Sequence, residues 1–543
     1  MKRRYFLISC FLFLISYSTS AQVNRPKLLV GLVVDQMRWD YLYRYHDMYG
    51  ADGFKRLLNQ GFSCENTMIP YTPPVTGAGH TCIYTGSVPA IHGIVANDWI
   101  DRETGMRMYC ASDSTVRPVG SASLWEGQMS PRNMLTNSIA DELRLATNFR
   151  SKSIGIALKD RGGIFPAGHS ANAAYWFDDR TGQWITSTYY MNELPAWVQR
   201  YNDRRIPDSL MRTDWNLLYD RSKYIQSTGD DMPYERLLES DKSRTFPHKY
   251  QSVIGSTRYD PFRSSPYGNI YTLDFAKEII RNEKMGQRGE TDMLSISLSS
   301  TDYIGHRFGP NSLEVEDLYL RLDKNIADFL NYLDRTLGKN NYLLFLSADH
   351  GASQTAGFLK ENKYHTAGTL SSDEMAKKMN RFCQEKFGDS MLVKKIYDFQ
   401  AYLDKKRIES LGLNMKDVKK TLVTYLKSQN EIWNALDEED LATTILPPVV
   451  KEKLMNSYYF RRSGDIQYFY KAQYLEGVTA GTEHGAWYPY DSHIPLVWFG
   501  WNVKPGKLNR ETYMTDIAPT IAAMLKIQMP SGCIGKVITE VVK

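Results

Sequence analysis

The sequence predicts an α/β protein with a mostly parallel, doubly wound sheet and inserted cap segments. Three observations lead there. Five runs are continuously apolar and mostly rich in branched side chains: KLLVGLVVD (27–35), SIGIAL (153–158), MLSISLSS (293–300), NYLLFLSA (341–348) and IPLVWF (494–499). That composition belongs to strands buried on both faces. The segments between them carry helical periodicity, so strands and helices alternate. The first four runs end at or just before polar side chains, namely Asp35, Lys159, Asp302 and Asp349-His350. Ligands of open parallel sheets bind outside the carboxyl ends of the strands, so these residues should meet on one edge.

In chain order, GADGFKRLLNQGF (50–62) reads as a short helix between glycines. YTPPVTGAGHTCIYTG (71–86) follows, with Thr76 at its centre. Pro73 and Pro74 hold its approach extended, and Gly77 and Gly79 allow a tight turn. A short helix is expected from His80 to a stop at Gly86, which would gather a hydroxyl and backbone N–H groups into a site for an anion. PAIHGIVANDW (89–99) reads as a loop carrying Asn97. Residues 162–290 are rich in Tyr, Trp, Asn and Pro with weak periodicity, as in an inserted cap. Val315, Leu318, Leu322, Ile326, Phe329, Leu330, Leu333 and Leu337 recur at three- and four-residue steps before Gly338, which marks a long amphipathic helix. A second insertion is expected at 352–480, mostly polar and helical over 372–440, with two hairpin strands around 457–475. MTDIAPTIAAML (514–525) reads as a helix opened by Thr515 or Asp516, with Pro519 in its first turn. There is no internal repeat and no low-complexity tract.

The N-terminus reads as a leader. Lys2, Arg3 and Arg4 precede the apolar run 5–17, and Thr19-Ser20-Ala21 supplies a small-residue cleavage site. The run falls short of the ~20 residues that span a bilayer. Leu7-Ile8-Ser9-Cys10 resembles a lipobox, but too few apolar residues precede Cys10 and many follow it. The mature chain, 22–543, is therefore expected to be periplasmic or secreted, without a stable membrane anchor. Three of the 66 basic residues leave with the leader, so 63 face 61 acidic ones. That near-neutral balance argues against a nucleic-acid binder. Cys64, Cys82, Cys110, Cys383 and Cys533 remain, an odd number without CxxC spacing, which disfavours a thiolate zinc site.

Each polar strand end alone has a plain structural reading, since an aspartate there often caps the next helix. Together they offer specific chemistry. Asp35, Asp302 and Asp349 with His306, His350 and His484 can fill two four-coordinate metal sites, each keeping a position for substrate or water. Carboxylate and imidazole without thiolate suit zinc, with manganese or cobalt as alternatives. Two divalent ions against three carboxylates leave a positive centre suited to a phosphate dianion, and metal coordination is one way to activate a threonine hydroxyl.

The segments DQMRWDYL, PPVTGAGHTCIYTG, NDW, LKDR, STDYIGHRFGPNS, SADHG and the late His484 with DSHIPL together resemble the alkaline phosphatase superfamily. Within it they are most similar to the exported bacterial alkaline phosphatases with a threonine nucleophile. The match runs from about residue 26 to the C-terminus. The resemblance implies phosphate monoester hydrolysis through a phosphothreonine on Thr76 and two zinc ions. Asp35, Asp349 and His350 would hold the ion that activates Thr76. Asp302, His306 and His484 would hold the ion that stabilises the leaving oxygen and activates water. Asn97, Lys159 and Arg161 would bind phosphoryl oxygens of a broad range of small-molecule monoesters. Gly77-Ala78 depart from the residues that relatives carry, which bears on pocket shape. His80 and His493 read as supporting residues, and His46, His92, His169, His248 and His365 as surface or loop residues.

A nucleotide pyrophosphatase-type diesterase would use the same metals and a threonine. Lys159-Asp160-Arg161 favours monoesters, because a diester presents one fewer charged oxygen. Sulfatases share the fold but need a Cys or Ser in a CxPxR-like context, which no mature cysteine has. A non-catalytic binding protein would not need Thr76 beside six ligand positions.

Overall fold

The apolar run at the start of the mature chain becomes Leu28–Val34 (β1), buried at every residue. It lies mid-way in a ten-stranded sheet of the computed structural model, which describes residues 23–542 apart from 239–240, 242, 251–258 and 478. The leader expected at 1–21, with Cys10, lies outside the described residues. The other strands are Phe62–Cys64 (β2), Pro118–Val119 (β3), Ser153–Ala157 (β4), Ala173–Asp178 (β5), Gln183–Ser187 (β6), Asp292–Leu298 (β7), Tyr342–Ser347 (β8), Leu496–Gly500 (β9) and Gly506–Leu508 (β10). Their order is β10-β2-β9-β8-β1-β7-β4-β5-β6-β3. The inner five, β8, β1, β7, β4 and β5, are parallel, whereas β9 runs antiparallel to β8. All five expected strands form, and the sheet is mixed only toward its edges.

Helices cover the sheet: Thr76–Thr85 (α1), Asp160–Ala167 (α2), Tyr267–Asn282 (α3), Ser300–Phe308 (α4), Leu313–Leu337 (α5) and Ile517–Leu525 (α6). The eight apolar positions expected on α5 are all buried. Ser312 caps its start, accepting from Val315 N at 3.2 Å, a contact worth ~1 kcal/mol. Gly338 ends it at φ 91°, where a side chain would be strained.

Several local expectations are corrected. Helix α1 begins at Thr76 rather than His80, because Val75 is extended (φ −138°, ψ 158°) and hands the chain directly into the helix. Gly79 therefore serves proximity rather than turning. A Cβ there would lie 2.5 Å from the carbonyl oxygen of Asp349, so only glycine lets α1 approach the end of β8 so closely. Within 89–99, expected as loop, Pro89–His92 is a helical turn and Asp98–Ile100 begins a strand.

Residues 162–290 supply β5 and β6 to the main sheet, and α3 packs on it. Their weak periodicity reflects burial on more than one face rather than a cap. The stretch 352–480 builds its own antiparallel sheet from Val393–Tyr397, Gln400–Leu403, Ile432–Asp437 and Ile466–Tyr470. Helices Ser372–Phe387 and Met415–Lys427 pack on that sheet around a separate core. Strands Ile466–Tyr470 and Tyr474–Glu476 do not form the expected hairpin, because Tyr474–Glu476 pairs in parallel with Gly368–Leu370 instead. His92 and His248, expected at the surface or in loops, are fully buried. The five described cysteines are free thiols.

Candidate active site

Parallel register fixes where the polar residues go. Val34 lies opposite Leu298, and Val33 opposite Ser347. The chain after β1, β7 and β8 therefore leaves the sheet side by side. Asp35 follows β1, Asp302 sits in the first turn of α4, Asp349-His350 follow β8, and Lys159 precedes α2. Thr76, at the first position of α1, is 1 % exposed among them. His306 stands one turn beyond Asp302 on α4, with its Nε2 3.2 Å from Asp302 Oδ1. His484 arrives from a late loop, and its ring stacks on His350 with centroids 3.6 Å apart.

Three imidazoles are aimed by backbone carbonyls. Nδ1 of His306 meets Thr482 O at 2.8 Å, Nδ1 of His350 meets Gly351 O at 3.0 Å, and Nδ1 of His484 meets Pro74 O at 2.8 Å. A carbonyl accepts only from N–H, so Nδ1 carries a proton in each ring and Nε2 is the nitrogen aimed inward, where an ion would take its lone pair. Donor atoms of Asp302, His306 and His484 lie within 4.8 Å of one another, as do those of Asp35, Asp302 and His350. Asp302 thus belongs to both groups. Asp349 Oδ2 stands 3.4 Å from His350 Nε2. Both Asp35 carboxylate oxygens, Asp349 Oδ2 and His350 Nε2 are buried without a hydrogen bond. Two of these oxygens have close charge contacts instead, Asp35 Oδ2 with Lys159 Nζ at 2.8 Å and Asp349 Oδ2 with His80 Nδ1 at 3.3 Å. Buried polar atoms left so are costly, and an oxygen-and-imidazole donor set of this kind fits divalent ions such as zinc.

Electrostatics follow the packing. Burial, and next the charge of Asp349, lifts the Asp35 carboxyl well above the usual range. Burial also pulls Asp302 upward, but Lys159 and His306 outweigh it and hold that carboxyl well below the usual range. Burial, with His350 and His306 adding to it, keeps His484 neutral. Burial opposes the Lys159 charge, yet Asp302 and Asp35 more than restore it. Its ammonium donates to Thr76 Oγ1 at 3.3 Å and to Asp302 Oδ2 at 2.6 Å.

Asn97 Oδ1 accepts from Gly77 N at 2.9 Å, which leaves its amide N–H groups for a ligand. Arg161 Nη1 donates to the hydroxyl of Tyr109 at 3.1 Å, and Tyr109 donates to Asp160. Asn97 and Arg161 line a cleft of about 340 Å³ with Thr76, Lys159, His306 and His484. His80 is saturated by Thr76 O and Ser297 Oγ, 2.9 Å each, as expected of a supporting residue. His493 likewise bonds Glu65 O.

Three participants carry no role that the sequence alone assigns. Gln36, at φ 64°, donates its side-chain amide to Asp302 Oδ1 and its backbone N–H to Asp349 Oδ1, 3.1 Å each. Glu483 lies 3.2 Å from His306 Nδ1. Tyr109 positions Arg161. Only Glu483 carried a signal, its place beside His484.

The type I phosphodiesterase / nucleotide pyrophosphatase family model matches residues 29–476. Alkaline phosphatase PhoV of Synechococcus elongatus is 50 % identical over 521 residues, 96 % of this chain and 94 % of PhoV. A protein of Myroides odoratus named a calcium-transporting ATPase is 49 % identical over 98 % of both chains. Alkaline phosphatase PafA of Elizabethkingia meningoseptica is 48 % identical, covering 96 % of this chain and 95 % of PafA. The crystal structure of PafA superposes with a TM-score of 0.94 over 96 % of this chain and 100 % of that one. A PafA variant with one threonine-to-serine and three alanine substitutions, of an asparagine, a lysine and an arginine, superposes at 0.93 over 96 % of this chain and 100 % of that one. The strand-end aspartates, the inward imidazoles and these likenesses agree: the chain belongs to the type I phosphodiesterase / nucleotide pyrophosphatase family of the alkaline phosphatase superfamily.

Proposed function

We propose that this alkaline phosphatase hydrolyses small phosphate monoesters through a phosphothreonine formed on Thr76. The observation that carries the reading is the Thr76 hydroxyl, at the start of α1, beside the Lys159 ammonium and two donor groups that share Asp302. Asp35, Asp349 and His350 would hold one divalent ion, and Asp302, His306 and His484 the other. Zinc suits these donors, with manganese or cobalt as alternatives. When bound, the ions supply positive charge and lower the pKa of a hydroxyl or water.

The chain's own residues do the rest. Thr76 Oγ1 bonds to phosphorus as the ester P–O bond breaks, and the alcohol leaves with a proton. Water then cleaves the phosphothreonine, restoring the Thr76 hydroxyl and releasing phosphate. The Lys159 ammonium offsets negative charge growing on Thr76 Oγ1. Arg161 and the Asn97 amide hold the non-bridging oxygens. Thr76, Asn97, Lys159 and Arg161 stand at the same mutual spacing as the four residues substituted in the PafA variant, which supports assigning them together.

The family also contains diesterases. The paired cations Lys159 and Arg161 favour the monoester, whose extra charged oxygen they can meet. The ATPase name of the Myroides relative fits the same terminal phosphoryl chemistry; no helix among the described residues is long and apolar enough to cross a membrane. The same reading places the mature chain in the periplasm or outside the cell. Acid-quenched turnover of labelled phosphoester should leave label on Thr76. Label on any other residue overturns the assignment, and faster turnover of an aryl methyl diester than of the aryl monoester overturns the substrate class.

A further inference from the structure

The inserted sheet contributes one wall of the cleft. Its first two strands, Val393–Tyr397 and Gln400–Leu403, join through the two-residue turn Asp398-Phe399, at φ 46° and 65°. Phe399 anchors that turn: its ring lies 5.5 Å from that of Tyr470. A Cβ on Gly485, beside His484, would lie 2.8 Å from its Cε2. Asp398 is thereby fixed in the lining of the cleft that holds Thr76, Lys159 and Arg161.

Two other carboxylates share this wall, and both are engaged. Glu483 Oε2 lies 3.2 Å from His306 Nδ1, and Arg236 donates to its other oxygen at 3.2 Å. Glu476 accepts from Ser372. The Asp398 carboxylate has neither a hydrogen bond nor an ion pair among the described residues. Burial, and next the charge of Glu476, pushes its carboxyl up to about 8 against the opposing pull of Arg161, so at alkaline pH it lines the cleft as an anion with no ion-pair partner of its own. Lys159 and Arg161 answer the charge of an entering phosphate dianion, but neither is ion-paired to Asp398, so a cation carried by the substrate would find an open partner there. The wall abuts His306, on the side assigned above to the leaving oxygen, so that cation belongs on the leaving group.

We infer that Asp398 is a specificity residue that selects phosphate monoesters whose leaving alcohol carries a positive charge near the ester oxygen. The inference rests on the monoesterase reading. A neutral leaving group of the same shape gains nothing from Asp398, whereas an ammonium meets a pre-positioned partner. Because the ammonium is remote from the breaking bond, the gain falls mainly on KM.

Phosphocholine and its uncharged isostere 3,3-dimethylbutyl phosphate separate charge from shape. With the purified metal-loaded enzyme at about pH 9, where the carboxylate is ionised, kcat/KM should favour phosphocholine by about tenfold, the scale of one partly screened ion pair. In Asp398→Asn, phosphocholine should lose about tenfold, chiefly in KM, while the neutral ester gains or holds. Asparagine tolerates a left-handed turn, and Asp398→Gly gives a second variant in the same backbone conformation. Equal changes on both substrates, or no preference in the wild type, overturn the role of Asp398. If the wild type turns over neither ester nor a simple aryl phosphate, the monoesterase reading itself fails, and that result is distinguishable from the first two.

Discussion

Replacing Arg161 with alanine should cost monoester turnover far more than diester turnover. The side chain is held at one end, where Nη1 donates to Tyr109. Its Nε is buried without a partner, which leaves the Nε and Nη2 edge for two parallel bonds to a phosphoryl group. Charge-assisted bonds contribute about 1.5–3 kcal/mol each, so two contribute roughly 3–6 kcal/mol. At about 1.4 kcal/mol per factor of ten, kcat/KM for 4-nitrophenyl phosphate should fall by roughly 10²–10⁴. Its methyl diester, with one fewer charged oxygen to receive the fork, should lose less than about tenfold on the same scale. Among the described residues Arg161 has no hydrogen bond or ion pair to the metal-donor side chains, so metal content measured alongside should stay unchanged. An equal loss on both substrates would mean that Arg161 supports the fold. No loss on either would mean that it does not reach the substrate.

Thr76→Ala should abolish covalent labelling, and Thr76→Ser should retain part of the activity because a hydroxyl remains; full activity in the alanine variant refutes the nucleophile. Chelation should remove activity and zinc should restore it, whereas a metal-free preparation that turns over normally excludes the two donor groups from the chemistry. Acid stability should carry the signature of His92, whose pKa is pushed down to about 3 by burial and then by Arg462. A buried neutral histidine contributes stability that is complete above its unfolded pKa of about 6.5 and lost as pH falls toward 3. Over that window the loss reaches several kcal/mol. The melting temperature should therefore fall steeply below about pH 6.5, and His92→Gln should flatten that limb; parallel curves would show that His92 does not titrate with unfolding.

The parallel core was legible because burial on both faces leaves a continuous apolar run, and β1, β4, β7 and β8 each have one. Helix α5 was legible because one buried face imposes its period. The strand ends were legible for a topological reason, since parallel neighbours must release their next residues on one edge. The expected grouping around Asp302, His306 and His484 recurs in the structure, but the membership of Asp302 in both donor groups depends on where its two oxygens point, which spacing does not encode. Gln36 was hidden because a glutamine at positive φ has no sequence signature. Residues 162–290 misled because β5, β6 and α3 are covered on several sides, which erases the periodicity that separates core from insertion. Tyr109 meets Arg161, and Asp398 meets the cleft, across long sequence separations, so neither could be read from its neighbours.

The carbonyl that aims His484 belongs to Pro74, 410 residues earlier in the chain. Closing so long a loop is entropically slow and comes late in folding. The first 350 residues already carry every other proposed donor, so the late loop is what completes the second group. Under the two-ion reading, loading of that group is coupled to completion of the fold: a chain cut short before His484 would keep the first donor set and lack one member of the second, however well the rest of its sheet has formed.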